Sequence, residues 1–120
     1  MSDLKLGIQM WSIHDICVQE GMASAIKKVK EMGYNGFEYA LGDSITLKER
    51  CNTDAEEAVK ILREYDVKAL GAHIPFEPML LDPKPVLEEC LKLEIPYAAV
   101  GPVFWGDRAT YAEQKETYDR

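Results

Sequence analysis

Four short apolar runs punctuate the chain: Lys5-Leu6-Gly7-Ile8-Gln9-Met10, Gly36-Phe37-Glu38-Tyr39-Ala40, Val67-Lys68-Ala69-Leu70-Gly71-Ala72-His73 and Tyr97-Ala98-Ala99-Val100-Gly101. Their starts lie 31, 31 and 30 residues apart. A strand–helix–strand unit takes about 30 residues, so this period predicts β-α-β-α-β-α-β around a parallel sheet.

The segments between the runs carry helical spacing. Met22, Ile26, Val29 and Met32 form one apolar stripe, with Lys27, Lys28, Lys30 and Glu31 on the opposite side and Gly33 as a left-handed cap. Thr53-Asp54-Ala55-Glu56 reads as a capping box opening a second helix, whose stripe is Ala55, Ala58 or Val59, Leu62 and Tyr65. A third helix has Asp82 as N-cap and Pro83 at its first position, with Val86, Leu87, Cys90 and Leu91 as the buried face. Leu41 to Asn52 is the longest irregular stretch, Pro75-Phe76-Glu77-Pro78 reads as a loop, and Asp107 to Arg120 is polar and helix-prone.

The two faces of each strand distinguish between architectures. One face is apolar: Leu6, Ile8 and Met10; Phe37 and Tyr39; Leu70, Ala72 and Ile74; Ala98 and Val100. The other carries Gly7 and Gln9; Gly36, Glu38 and Ala40; Ala69, Gly71 and His73; Ala99 and Gly101. A doubly wound sheet is covered on both sides and needs two apolar faces. A (β/α)8 barrel of TIM type is covered by helices only outside and gathers polar groups at the top of its interior, which is the pattern here. A full barrel takes about 250 residues. The fold expected is therefore α/β, a single domain over residues 1–120, representing about four βα units or half a barrel. The alternative is an open flavodoxin-like sheet. A half-barrel has two open strand edges that template further pairing, so the chain is expected to be a piece of a longer enzyme or to pair with another half.

Composition narrows the partners. The chain has 14 basic and 21 acidic residues, a net charge of −7, which opposes nucleic-acid and anionic-membrane surfaces. No apolar run reaches the roughly 20 residues that cross a bilayer. Cys17, Cys51 and Cys90 are odd in number and widely spaced, which suggests neither a disulfide framework nor a zinc site, and no signal peptide is visible at the start. A reducing cytoplasm is the default compartment. The glycines show no G-x-G-x-x-G order, so a dinucleotide fingerprint is lacking.

Leu6-Gly7-Ile8-Gln9-Met10-Trp11-Ser12-Ile13-His14-Asp15, Val29-Lys30-Glu31-Met32-Gly33-Tyr34-Asn35-Gly36-Phe37-Glu38 and Ala72-His73-Ile74-Pro75 together resemble the N-terminal part of the sugar phosphate isomerase/epimerase family, which has the xylose-isomerase-like barrel. The resemblance covers nearly the whole chain and, as a set of motifs, is specific to the superfamily rather than to one reaction. It implies metal-assisted proton transfer beside a carbonyl of a small sugar or polyol, with Mn²⁺, Mg²⁺ or Co²⁺ held by two Glu, one Asp and one His on strands five to eight. Those catalytic and metal residues are expected to be absent from this chain, which would be inactive alone and supply only the substrate side. A second branch of the superfamily, the metal-dependent apurinic-site endonucleases, has zinc-binding histidines at strands three and four. His73 matches the first, but Gly101-Pro102-Val103-Phe104-Trp105 has no histidine for the second.

Five residues are thus expected to bind substrate: Gln9, Trp11, Glu38, His73 and Trp105. His73 would contact a substrate hydroxyl or phosphate or make an outer metal contact, or else serve as a hydrogen-bonded structural imidazole. Glu38 would accept a sugar hydroxyl or orient His73, or else pair structurally with a lysine or backbone donors. Trp11 would stack on a sugar or plug the barrel core, and Trp105 would form a hydrophobic wall or pack between helices. His14 reads as a solvated loop residue, at a place where relatives often carry Arg, a departure that argues against phosphate binding there. The three cysteines read as inert. The alternative to an enzyme is a self-associating half-barrel, a homo-oligomer through its exposed strand edges, or a flavodoxin-like binding module. Trp11-Ser12-Ile13-His14-Asp15 lacks the Ser, Thr and Gly richness the last would need.

Overall fold

The computed structural model describes residues 4–100 and 111–119. Strand β1 (Gly7–Gln9) leads through a 3₁₀ turn (Met10–Ile13) into α1 (His14–Gln19) and α2 (Met22–Glu31). β2 (Gly36–Ala40), α3 (Leu47–Cys51), α4 (Ala55–Glu64), β3 (Lys68–Ile74), α5 (Phe76–Leu81), α6 (Pro83–Lys92), β4 (Ala98–Val100) and α7 (Tyr111–Tyr118) follow. The four strands are parallel and adjacent in chain order, β1-β2-β3-β4. Right-handed crossovers that always step the same way put their helices on one side of the sheet, and α2, α4 and α6 do lie side by side. A flavodoxin-like sheet has the order 2-1-3-4, with helices on both faces, so the observed order departs from that alternative.

The core lies between this helical layer and one sheet face. Phe37 and Tyr39 are wholly buried there, in edge-to-face contact at 5.1 Å between ring centroids. Such a pair adds about 1 kcal/mol to what burial alone contributes. Met10, Ala72 and Ile74 complete the sheet side; Met22, Ala25, Ile26, Val29, Ala58, Leu62 and Val86 come from the helices. Gly33 ends the α2 segment at φ +92°, a left-handed conformation that suits a residue without a Cβ.

A register shift between Phe37 and Glu38 reassigns β3. Phe37 pairs with Ala69, but Glu38 pairs with Gly71, so Leu70 is the extra residue of a bulge. Leu70 therefore lies on the helix-free face, over Gly7 and Gly36, and Ala69 shares the Phe37 register. This reverses the alternation expected from strict period-two reading of residues 69 and 70. Gly71 serves a close approach too: a Cβ there would stand 2.8 Å from the Tyr97 carbonyl oxygen, which accepts the Ala72 N–H at 3.3 Å.

Several local expectations change. Thr53 does not cap α4; Asp54 is the N-cap residue and makes no side-chain cap bond, while the buried Thr53 hydroxyl donates to the Cys51 carbonyl. The capping signature belongs one element earlier. Thr46 Oγ1 accepts the Glu49 N–H at 3.2 Å, Glu49 Oε2 accepts the Ile45 N–H at 3.0 Å, and the resulting helix α3 occupies what reads as an irregular stretch. Residues after Pro75 likewise form α5 rather than a loop. On α6 the Asp82 cap holds, accepting the Lys84 N–H, but Leu87 and Leu91 are exposed, Leu91 by 78%. Val86 is buried as expected, and Glu89 is buried with it, because Glu89 turns inward to accept the Leu47 N–H at 2.9 Å in the first turn of α3. Met32, expected in the α2 stripe, is exposed beyond the helix end.

Candidate functional site

The helix-free face of the sheet is glycine-lined low down and polar at the strand carboxyl ends. The β1–β2 register sets Gln9 directly opposite Glu38. On β3 the bulge brings Gly71 opposite Glu38 and places His73 one step higher, opposite Ala40. Glu38 Oε1 accepts from Gln9 Nε2 at 2.6 Å and lies 3.3 Å from His73 Nε2. Gln9 and His73, from the two flanking strands, thus converge on one carboxylate oxygen of Glu38. Glu38 and His73 retain 31% and 43% side-chain exposure, so the array is open to a ligand rather than sealed in a core.

Without the bulge, period-two pairing would leave His73 and Glu38 out of step. Its cost in ladder regularity is balanced by Leu70, which fills the space over Gly7 and Gly36 beneath the polar row. Beside that row stands the Tyr97 ring, whose edge lies 3.1 Å from where a Gly71 Cβ would be. A ring next to hydrogen-bonding groups offers an apolar face to the C–H side of a sugar. Tyr97 escapes sequence reading because it sits just before β4, far from Glu38 along the chain, and only the absent Gly71 side chain lets it in.

Trp11 does not join this array. It is 67% exposed, which rules out a plug of the core, and it stacks with His14 at 6.2 Å between centroids. The Arg50 guanidinium carbon lies 5.5 Å from the Trp11 ring centroid, within cation–π range. Arg50 Nε also donates to the carbonyl of Ala40, the last residue of β2, at 3.1 Å. His14, expected as a solvated loop residue, is instead the first residue of α1, with its Nε2 inaccessible and unbonded. Arg50 escapes sequence reading because α3 does; the Thr46–Glu49 capping pair was the available signal. Trp105 lies outside the described residues.

The thiols near Arg50 are held neutral. Burial, and then the neighbouring Cys51, push the Cys17 pKa up to about 12, outweighing the opposing pull of Arg50. Burial also raises Cys51, against hydrogen bonds from Thr53. All three cysteines are free.

A cavity of about 490 Å³ opens elsewhere, on the helical side near the amino end of β3, between Val59, Leu62, Val67, Ala69, Leu93 and Pro96. Of its rim charges, Arg63 pairs with Glu94 and Asp66 with Lys30, and Lys68 stands beside them. Among the described residues no group of three His, Cys, Asp or Glu could hold a metal ion, and no helix is long and apolar enough to cross a membrane. Compared with known proteins, the chain matches no family model and no curated protein.

Proposed function

We propose that this chain forms the substrate side of a (β/α)8 enzyme of the sugar phosphate isomerase/epimerase type, its sheet being four of the eight barrel strands. The observation that carries this reading is the Gln9–Glu38–His73 array, gathered by three strands at the carboxyl ends of a helix-free face. Barrel enzymes place their chemistry there. Glu38 Oε1 accepts from Gln9 and lies 3.3 Å from His73 Nε2, and the second Glu38 oxygen and the Gln9 carbonyl have no hydrogen bond within the described residues. These acceptors, with Tyr97 beside them, suit a vicinal diol presenting hydroxyl donors and an apolar edge.

The divalent cation of such enzymes does not fit the donors described here. Glu38 and His73 are two ligands where a cation site needs three or more, so no proton-transfer step is assigned to this chain. The reading places the cation and the acid/base glutamates on further strands, and the compartment in the cytoplasm.

The protein has two histidines, one in each cluster described above, and their imidazole proton resonances separate the two. Titration with a ketose, its phosphate or a polyol is expected to shift the His73 signal saturably, and Glu38→Gln to abolish the shift. An unmoved His73 overturns the substrate assignment. Turnover of a ketose by the chain with Mn²⁺ at about 1 s⁻¹ or more, an ordinary enzymatic rate, overturns the inactive-half assignment.

Self-association is the second reading, and the two sheet edges favour it. Leu6 beside β1 and Val100 in β4 are both exposed large apolar side chains at opposite edges. Placing β4 of one copy beside β1 of another continues the parallel order, and a two-fold axis closes eight strands. Sedimentation decides this: a strict monomer ends it.

A further inference from the structure

We infer that Arg50, His14 and Trp11 form a binding site for a small oxyanion, a phosphoryl or carboxylate group, at the carboxyl ends of β1 and β2. The site stands on its own geometry; only its use as the charged end of a substrate rests on the reading above. Arg50 is half-buried and has no carboxylate partner among the described residues, although the chain carries an excess of acidic side chains. Several other cations do find an acidic residue of the chain, among them Lys28 with Glu20, Lys48 with Asp54 and Arg63 with Glu94. Desolvating a guanidinium without a counter-charge is costly, and an orphaned donor adds to the cost.

Arg50 is nevertheless held in place. Nε donates to the Ala40 carbonyl, the guanidinium lies against Trp11, and Nη1 would be 3.0 Å from a Cβ at Gly42. Nη2 is inaccessible and makes no hydrogen bond. His14, on the same Trp11 ring, has its Nε2 in the same condition. Two nitrogens from separate elements, both without acceptors and both braced by one indole, are the donor set an oxyanion takes up. Trp11 itself is 67% exposed, so this cluster stands at the protein surface. Cys17 and Cys51, the neighbouring ionisable groups, are held neutral and do not supply the missing negative charge.

The test uses the intact chain at constant pH and ionic strength, titrated with inorganic phosphate in one arm and acetate in the other. The His14 imidazole resonance is expected to shift saturably while His73 stays still. Arg50→Gln is expected to weaken binding about tenfold, the loss of one charge-assisted contact, and Arg63→Gln to leave it unchanged. Saturation by phosphate alone assigns a phosphoryl ligand, by acetate alone a carboxylate. Should Arg50→Gln fail to fold, phenylglyoxal modification of the unmutated protein reads the same site, with phosphate or acetate slowing reaction at Arg50 about fivefold or more but not at the exposed Arg63. No saturable shift at His14, or equal modification rates with and without either anion, overturns the inference. A chain that binds an anion at His14 but no polyol at His73 keeps this site and loses the sugar reading; the reverse result does the opposite.

Discussion

Leu70 lies across Gly36, so close that a Cβ on the glycine would stand 2.7 Å from Leu70 Cδ1 and 2.8 Å from its Cγ. The whole leucine side chain, not only its tip, occupies the space a β-carbon needs. Gly36→Ala is therefore expected to destabilise the fold by about 1–3 kcal/mol, as overpacking does. The double variant with Leu70→Ala should recover part of that loss, giving a coupling of about 1 kcal/mol in a denaturation cycle. Additive effects would show that the two positions do not touch.

Glu38→Gln should leave melting nearly unchanged, within about 1 kcal/mol, because the site is half-open and an amide oxygen still accepts from Gln9. Glu38→Ala removes the acceptor of Gln9 and the carboxylate 3.3 Å from His73, and the His73 resonance should then move without any ligand. Thermal melts and the imidazole spectrum check both.

Glu89 is 5% exposed and its carboxylate receives the first-turn Leu47 N–H of α3. A negative charge at a helix amino end is favourable, and leaving that amide unpaired is not. Glu89→Ala is expected to cost about 2 kcal/mol in urea unfolding. It should also loosen α3, raising amide exchange at Leu47 more than in α2.

Alkali should unfold the protein earlier than its carboxylates would suggest. The Cys17 thiol rises from 9.0 to about 12 on folding, chiefly by burial. A raised thiol pKa means that above pH 9 the unfolded chain loses a proton that the folded chain keeps. The stabilisation is full below pH about 9 and drains away as pH climbs toward 12. The buried Tyr39 phenol, also raised, steepens the fall. Cys17→Ala should flatten the pH dependence of the melting temperature between about pH 9 and 11.

Thiol reagents give a matching order. Cys90 is half-buried while Cys17 and Cys51 are buried, and burial raises all three pKa values. Cys90 should react first in the folded protein at about pH 8, and the other two only at the rate of unfolding. Equal rates at the three positions would contradict the packing of α1 against α3.

The spacing of apolar runs by itself determined four parallel strands with helices between them, because a strand–helix repeat leaves its period in the chain. Gln9, Glu38 and His73 were legible for the same reason: polar residues at strand ends break an otherwise apolar alternation. Tertiary structure alone decided the rest. The bulge at Leu70 exchanges which side chain faces the helices, and no period-two pattern shows a pairing slip that depends on the neighbouring strand. Leu87 and Leu91 looked like core, yet Glu89 was turned inward by an amide of α3 that lies far away in sequence. Arg50 and His14 meet on one indole because three separate elements end at the same rim, and side-chain proximity of that kind is set by packing in space, which a linear pattern of hydropathy does not encode.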